Sequence, residues 1–219
     1  MCLVQLQRRD EGLAALQRAV ELAPANEGYW RNQGIVLLQL DALPGAEASL
    51  RRAVAVKPDS ATASNYLAVV MLRAGHFDAA VQEFERALAL SPSDDTVHNN
   101  FGYALLEHGE VERSRDRFRR AIELNPQNTM AHNNLGNALH ALGDIRGSLA
   151  SYRRAVEIEP GMALARFNLG RTLADAGQPE AALEHLHAAA RLAPGVPATW
   201  QWLVDVLARF RFDTYKPEI

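Results

Sequence analysis

Cysteine is almost missing from this chain. Cys2 stands alone, which excludes both a disulfide framework and a thiolate metal site. There is no Asn-x-Ser/Thr sequon, and no apolar run approaches the ~20 residues that span a bilayer. The start, MCLVQLQRRDEG, lacks the form of a signal peptide, because its basic residues follow the short apolar run instead of preceding it. A cytoplasmic protein without membrane insertion is the resulting expectation. A strong excess of one charge sign is missing too. With 23 Lys and Arg against 26 Asp and Glu the net charge is −3, so no basic field favours nucleic acid. Catalytic patterns are equally scarce: no Gly-rich phosphate loop, nucleophile elbow or metalloprotease motif occurs. His185 and His187 are two apart and leave a helix on different sides, so they do not chelate one ion. No enzyme activity, catalytic residue, metal or cofactor is expected.

What the chain has is a period. Proline recurs at Pro24, Pro58, Pro92, Pro126, Pro160 and Pro194, every interval being 34 residues. Alanine stands five residues before each, at Ala19, Ala53, Ala87, Ala121, Ala155 and Ala189. Within a unit such as 129–162, one apolar stripe carries Leu135, Gly136 and Leu139 up to Gly143, a left-handed cap. A second carries Leu149, Tyr152, Ala155, Val156 and Ile158 up to Pro160, which has no amide hydrogen to extend a helix. Two helices per 34-residue unit predict a helical solenoid in which each unit buries its stripe against its neighbours.

The residues at these positions resemble the tetratricopeptide-repeat (TPR) pattern. They are Trp30-x-x-x-Gly34, Leu135-Gly136 and Leu169-Gly170 in first helices, then Phe84, Phe118, Tyr152 and the periodic alanines and prolines. The resemblance implies an all-α, right-handed superhelical solenoid of helix-turn-helix units. The expected layout is a TPR array over 1–211: a partial unit 1–26, full units 27–60, 61–94, 95–128, 129–162 and 163–196, and a terminal helix 197–211. A tail or linker, aromatic and stopped by Pro217, occupies 212–219. Residues 1–8 are expected to supply the last turns of a first helix, with Leu13 to Leu22 forming the second. Asn26, Ser60, Asp94 and Asn128 are the expected N-caps, while Met162 and Val196 break that series. Gly75, Gly109, Gly143 and Gly177 mark the turn within each unit, with Asp41 in that place in the first. The small residues Gly34, Ala68, Gly102, Gly136 and Gly170 are expected to face Ala46, Ala80, Ser114, Ser148 and Ala182, which lets paired axes approach.

One file of residues carries no core logic. Position six of successive first helices is Asn32, Tyr66, Asn100, Asn134, Asn168 and Trp202. Asparagine is a mediocre helix former, so its recurrence mid-helix is not a propensity effect. In TPR arrays this position faces the inner groove, and the file resembles the asparagine ladder of the superhelix attached to O-linked N-acetylglucosamine transferases. The implied peptide-binding set is Asn32, Asn65, Tyr66, Asn99, Asn100, Tyr103, Asn133, Asn134, Asn137, Phe167, Asn168 and Arg171. An amide has a donor and an acceptor, which suits either a peptide backbone or a bond across to the adjacent unit. The lysine-based clamp by which some TPR domains hold chaperone C-termini is not matched: Asn99, Met130 and Leu164 stand where lysine is needed. Arg113, Arg115, Arg117, Arg119 and Arg120 interleave with Glu112, Asp116 and Glu123 and read as a solvated face. His98 and His132 share a repeat position and read as seam fillers; Glu107, His108 and Glu110 read as solvated.

The function implied is a non-catalytic scaffold that binds an extended protein or peptide segment, or a helix, in its groove. Two alternatives stand beside it. One is the substrate-recruiting arm of a larger glycosyltransferase or methyltransferase. The other is an adaptor that self-associates end to end.

Overall fold

The structure, a computed structural model, describes the backbone of residues 3–210 and the side chains of residues 11–210. Every described element is a helix or a turn. The helices are α1 Leu3–Leu22, α2 Glu27–Gln39, α3 Leu43–Val56, α4 Ala61–Arg73, α5 Phe77–Leu90 and α6 Asp95–Glu107. They continue with α7 Val111–Leu124, α8 Thr129–Ala141, α9 Ile145–Ile158, α10 Ala163–Asp175, α11 Pro179–Leu192 and α12 Pro197–Phe210. The tail read at 212–219 lies outside the described residues.

The helices stop and start where local chemistry instructs them. Gly75, Gly109, Gly143 and Gly177 take φ between 72° and 85°, and Asp41 takes 61°, the left-handed conformation that ends a helix. Arg73 fastens the Asp41 turn by donating to its carboxylate at 2.8 Å and to Leu38 O at 3.1 Å. Ser60, Asp94 and Asn128 accept bonds from the first-turn amides of α4, α6 and α8, as N-caps should. Asn26 does not: its backbone is extended, but its side chain makes no capping bond. Asp144 caps α9 instead, through the Gly147 amide at 2.8 Å, a cap the sequence reading passed over.

The N-terminal stretch departs from expectation. Instead of the end of one helix and the whole of another, α1 runs unbroken from Leu3 to Leu22. Gln7 stands at the register of Asp41 and the four turn glycines. A glutamine tolerates the left-handed region poorly, so nothing there breaks the helix.

The chain forms two compact units, Met1–His108 and Gly109–Ile219. In the first, Leu50, Leu67, Phe84, Phe101 and Leu105 are buried in one cluster, with the Phe84 and Phe101 rings stacked at 5.3 Å. In the second, Tyr152, Leu169, Leu173, Leu186 and Val206 do the same. Each such side chain contributes on the order of 1.5–3 kcal/mol by leaving water.

Paired helices approach closely at the small residues, where the nearest side-chain atom across the contact belongs to a larger residue. A Cβ built on Gly34 would lie 2.5 Å from Leu50 Cγ, and one on Gly170 2.8 Å from Leu186 Cγ. On Gly136 it would sit within the Tyr152 ring, 2.6 Å from Cδ1. The glycines accommodate the large residue one turn beyond the small one. At Gly170 the small partner shares the contact, through Ala182 O at 3.0 Å.

Candidate functional site

Within each unit the asparagines form a hydrogen-bonded run. In the first unit Asn100 Nδ2 donates to Asn65 Oδ1, one repeat earlier, at 3.2 Å, and Asn99 Nδ2 reaches Asn100 Oδ1 at 3.5 Å. In the second, Asn168 Nδ2 donates to Asn133 Oδ1 at 3.0 Å and to Asn137 Oδ1 at 3.3 Å, and Asn133 Nδ2 to Asn134 Oδ1 at 3.3 Å. The same register therefore recurs. Position six donates back to position five of the preceding repeat, and position five donates on to position six.

Burial follows from this bonding. Asn65, Asn99, Asn133, Asn134 and Asn168 are all under 9% exposed, and an amide so placed requires partners. Tyr66, Asn100, Asn137, Phe167 and Arg171 are half-buried, and Asn32 is exposed. Tyr103 is 44% exposed, and burial and the nearby Glu107 carboxylate both raise its phenol above the usual value. The candidate set thus divides into a bonded layer and a more accessible one that rests on it.

Tyr152 belongs with this site, although the sequence marked it only as core. Its ring is fully buried, yet its hydroxyl donates to Asn137 Oδ1 at 2.7 Å. Burial raises its phenol, while the charge of Arg171 pulls it down. The available signal was that Leu50, Phe84, Phe118 and Leu186 occupy the same repeat position without a hydroxyl.

A second periodic device escaped the sequence reading. Position four of the first helix donates to the carbonyl of the repeat's proline six residues back. The bonds are Trp30 Nε1 to Pro24 O at 2.9 Å, Arg166 Nε to Pro160 O at 2.7 Å and Trp200 Nε1 to Pro194 O at 3.0 Å. His98 and His132 do the same through Nε2 to Pro92 O and Pro126 O, each at 3.1 Å, so both fasten the loop between successive repeats. Ser64 holds this place in the remaining repeat, and its buried Oγ finds no partner. Burial lowers the His132 imidazole below its ordinary value, against the pull of the Pro126 carbonyl.

The arginines of α7 are paired locally. Arg113 binds Glu110, Arg115 binds Asp116 at 2.8 Å and Arg120 binds Glu123 at 2.9 Å. His108, read as solvated, is exposed but stacks on Phe77 with ring centroids 3.6 Å apart.

Helix pairs of fixed period, with an amide file along their first helices, define a helical-repeat protein. The repeats are specific enough to name. One tetratricopeptide-repeat profile matches residues 3–55, 43–95 and 99–163, and a second matches 139–203, so the chain belongs to the tetratricopeptide-repeat family. Such repeats mediate protein–protein interaction. Among curated proteins no significant sequence match was found. Among solved structures, the chain is similar to YrrB, described as a TPR protein with an unusual peptide-binding site. The identity is 25% over 85% of this chain and 96% of that one, with a TM-score of 0.60. It is also similar to PilF of Pseudomonas aeruginosa (20% identity, 84% of each chain, TM-score 0.78). TTC0263, a TPR protein of Thermus thermophilus, is a third (21% identity, 84% of this chain and 100% of that one, TM-score 0.71). The fold class is the all-α TPR superhelical solenoid. No helix among the described residues is long and apolar enough to cross a membrane.

Proposed function

We propose that this chain is a non-catalytic scaffold that holds an extended peptide, or a helix, along the first helices of its repeats. The observation that carries the reading is the layered amide file. Buried asparagines are bonded to one another, and the more accessible Asn32, Tyr66, Asn100, Tyr103, Asn137, Phe167 and Arg171 stand on the same helices. Core packing has no need of a polar layer, whereas a surface that binds backbone requires fixed donors and acceptors. The likeness to YrrB supports the same reading, since that protein carries a peptide-binding site. On this proposal residues 1–211 act as the array, in the repeats given above, and 212–219 as a tail.

Display selection of 12-residue peptides on the folded chain, followed by calorimetric titration of the enriched ones, tests it. The accessible residues are the ones to mutate. Asn168→Ala would strip a donor from Asn133 Oδ1, buried at 0% exposure, and so confound binding with a stability loss of ~1–3 kcal/mol. Asn32→Ala and Tyr103→Ala should each weaken an enriched peptide about 2- to 13-fold, for ~0.5–1.5 kcal/mol per lost contact. No enrichment, or enriched peptides indifferent to every accessible position, would overturn the proposal.

Self-association is a second reading, favoured by α12. Trp200 and Val204 are 47% and 59% exposed there and border a cavity of about 390 Å³ with Pro194 and Pro197. Light scattering across a concentration series decides it. A constant monomer mass that Val204→Ser leaves unchanged removes this reading. The transferase-arm alternative rests on the asparagine file alone and requires a catalytic region in the same reading frame.

A further inference from the structure

The amides of the second unit are oriented, and their orientation selects what they receive. Asn137 Oδ1 accepts from both Asn168 Nδ2 and the Tyr152 hydroxyl, which uses both of its lone pairs. Asn133 Oδ1 and Asn134 Oδ1 likewise carry the protein's own donors. What Asn137 has left to offer is its Nδ2–H group. Arg171, three residues after Asn168 on α10, interacts with the same Tyr152 hydroxyl. It is half-buried, its Nε is out of solvent without a hydrogen-bond partner, and it forms no ion pair with any described residue. Arg154, more exposed, holds Glu157 at 3.1 Å. A guanidinium drawn partly out of water with no carboxylate has lost hydration and gained no counter-charge. The site is therefore rich in donors and poor in acceptors.

We propose that Arg171 and Asn137 form a carboxylate-binding subsite in the second unit, so that the peptide held there places an Asp or Glu side chain against them. The subsite rests on the peptide-binding reading above and narrows it to acidic segments. It is also unlike the lysine clamp for chain termini, whose positions here are Asn99, Met130 and Leu164. The planar guanidinium supplies charge-assisted bonds to one carboxylate, and Asn137 Nδ2 adds a neutral one. Tyr152 acts as a positioning residue: by occupying Asn137 Oδ1 it holds the amide with its N–H group free for ligand.

The test uses the full chain and two fluorescein-labelled pools of 12-residue peptides, randomised except that every third residue is Glu in one pool and Gln in the other. Fluorescence polarisation should show the Glu pool binding about 10-fold tighter or more, as for a hydrogen bond to a charged group. Arg171→Gln should bring the two pools within about twofold, with Arg171→Lys intermediate. Arg119→Gln, an exposed change on α7, should leave the preference intact. Circular dichroism on each variant confirms folding, and Tyr152→Phe should lower the preference through Asn137. Equal, measurable binding of both pools overturns the acidic subsite and leaves the peptide-binding reading standing. Binding of neither pool overturns both. A preference lost equally in Arg119→Gln and Arg171→Gln would mark general charge attraction and overturn the subsite.

Discussion

Adding one methyl group to Gly136 should destabilise the protein, although alanine is the better helix former. The built Cβ falls 2.6 Å from Tyr152 Cδ1 and 2.8 Å from Cζ, distances that no packed core tolerates. Relief requires the ring to move. The ring is fully buried and its hydroxyl is bonded to Asn137 at 2.7 Å, so moving it strains the core and loosens that bond. Overpacking costs ~1–3 kcal/mol and a weakened hydrogen bond ~0.5–1.5 kcal/mol. Against this, Gly→Ala in a helix interior gains about 1 kcal/mol. The net expectation for Gly136→Ala is a loss of roughly 1–3 kcal/mol. Gly12→Ala is the matched control. That glycine is also helical, but a Cβ there meets nothing within 4 Å, so its helix-propensity gain should appear as stabilisation. Ala68 with Phe84 shows that the repeat accepts a Cβ at this position opposite an aromatic with no hydroxyl. Tyr152→Phe should therefore recover part of the Gly136→Ala loss, as a coupling between the two changes. Urea unfolding followed by circular dichroism measures the parent, the three single variants and the Gly136→Ala/Tyr152→Phe double variant. If Gly136→Ala matches Gly12→Ala in sign, the close-contact argument is refuted.

Stability should also fall with acid. His132, His185 and His187 are all lowered in the folded chain, chiefly by burial. Arg154 adds to this at His132, Arg153 and Arg166 at His185 against Glu184, and Arg191 at His187. Below an unfolded value of ~6.5 the unfolded chain binds more protons, so stability is full above that pH and declines as pH falls toward the folded values. Melting midpoints from pH 8 to 5 read this slope, and a His185→Gln/His187→Gln variant that keeps it unchanged would contradict the assignment. Asp41→Gly should leave stability level or raise it by up to ~1 kcal/mol, because relief of the left-handed strain outweighs an exposed ion pair with Arg73. A clear loss in chemical denaturation would show that Arg73 holds this turn more firmly than exposure suggests.

The helices were legible because their ends are written locally. A left-handed turn needs glycine, or here Asp41, and a capped start needs a short acceptor; both are single-residue signals at a fixed register. The failures arise where an outcome depends on a neighbour. Asn26 has the chemistry of a cap, but Ser60 Oγ donates to Glu27 at its helix start and Asn26 makes no capping bond. The glycine contacts depended on how far Leu50, Tyr152 and Leu186 reach, which spacing alone does not reveal.

The amide file shows the same boundary at the functional level. Its register was plain from a 34-residue period, but asparagine donates and accepts equally well, so the type alone left two uses open. The direction is set by groups far away in sequence. Tyr152, fifteen residues from Asn137, contributes the hydroxyl that occupies an acceptor, and Asn168, a repeat further on, contributes the other donor. From the sequence Tyr152 reads as core and Asn168 as groove. Their meeting at a single oxygen occupies both of its lone pairs, and the proposed subsite uses the N–H group that is left. On the proposed reading, the asparagine file offers a place for backbone or carboxylate, and the residues packed behind it decide which.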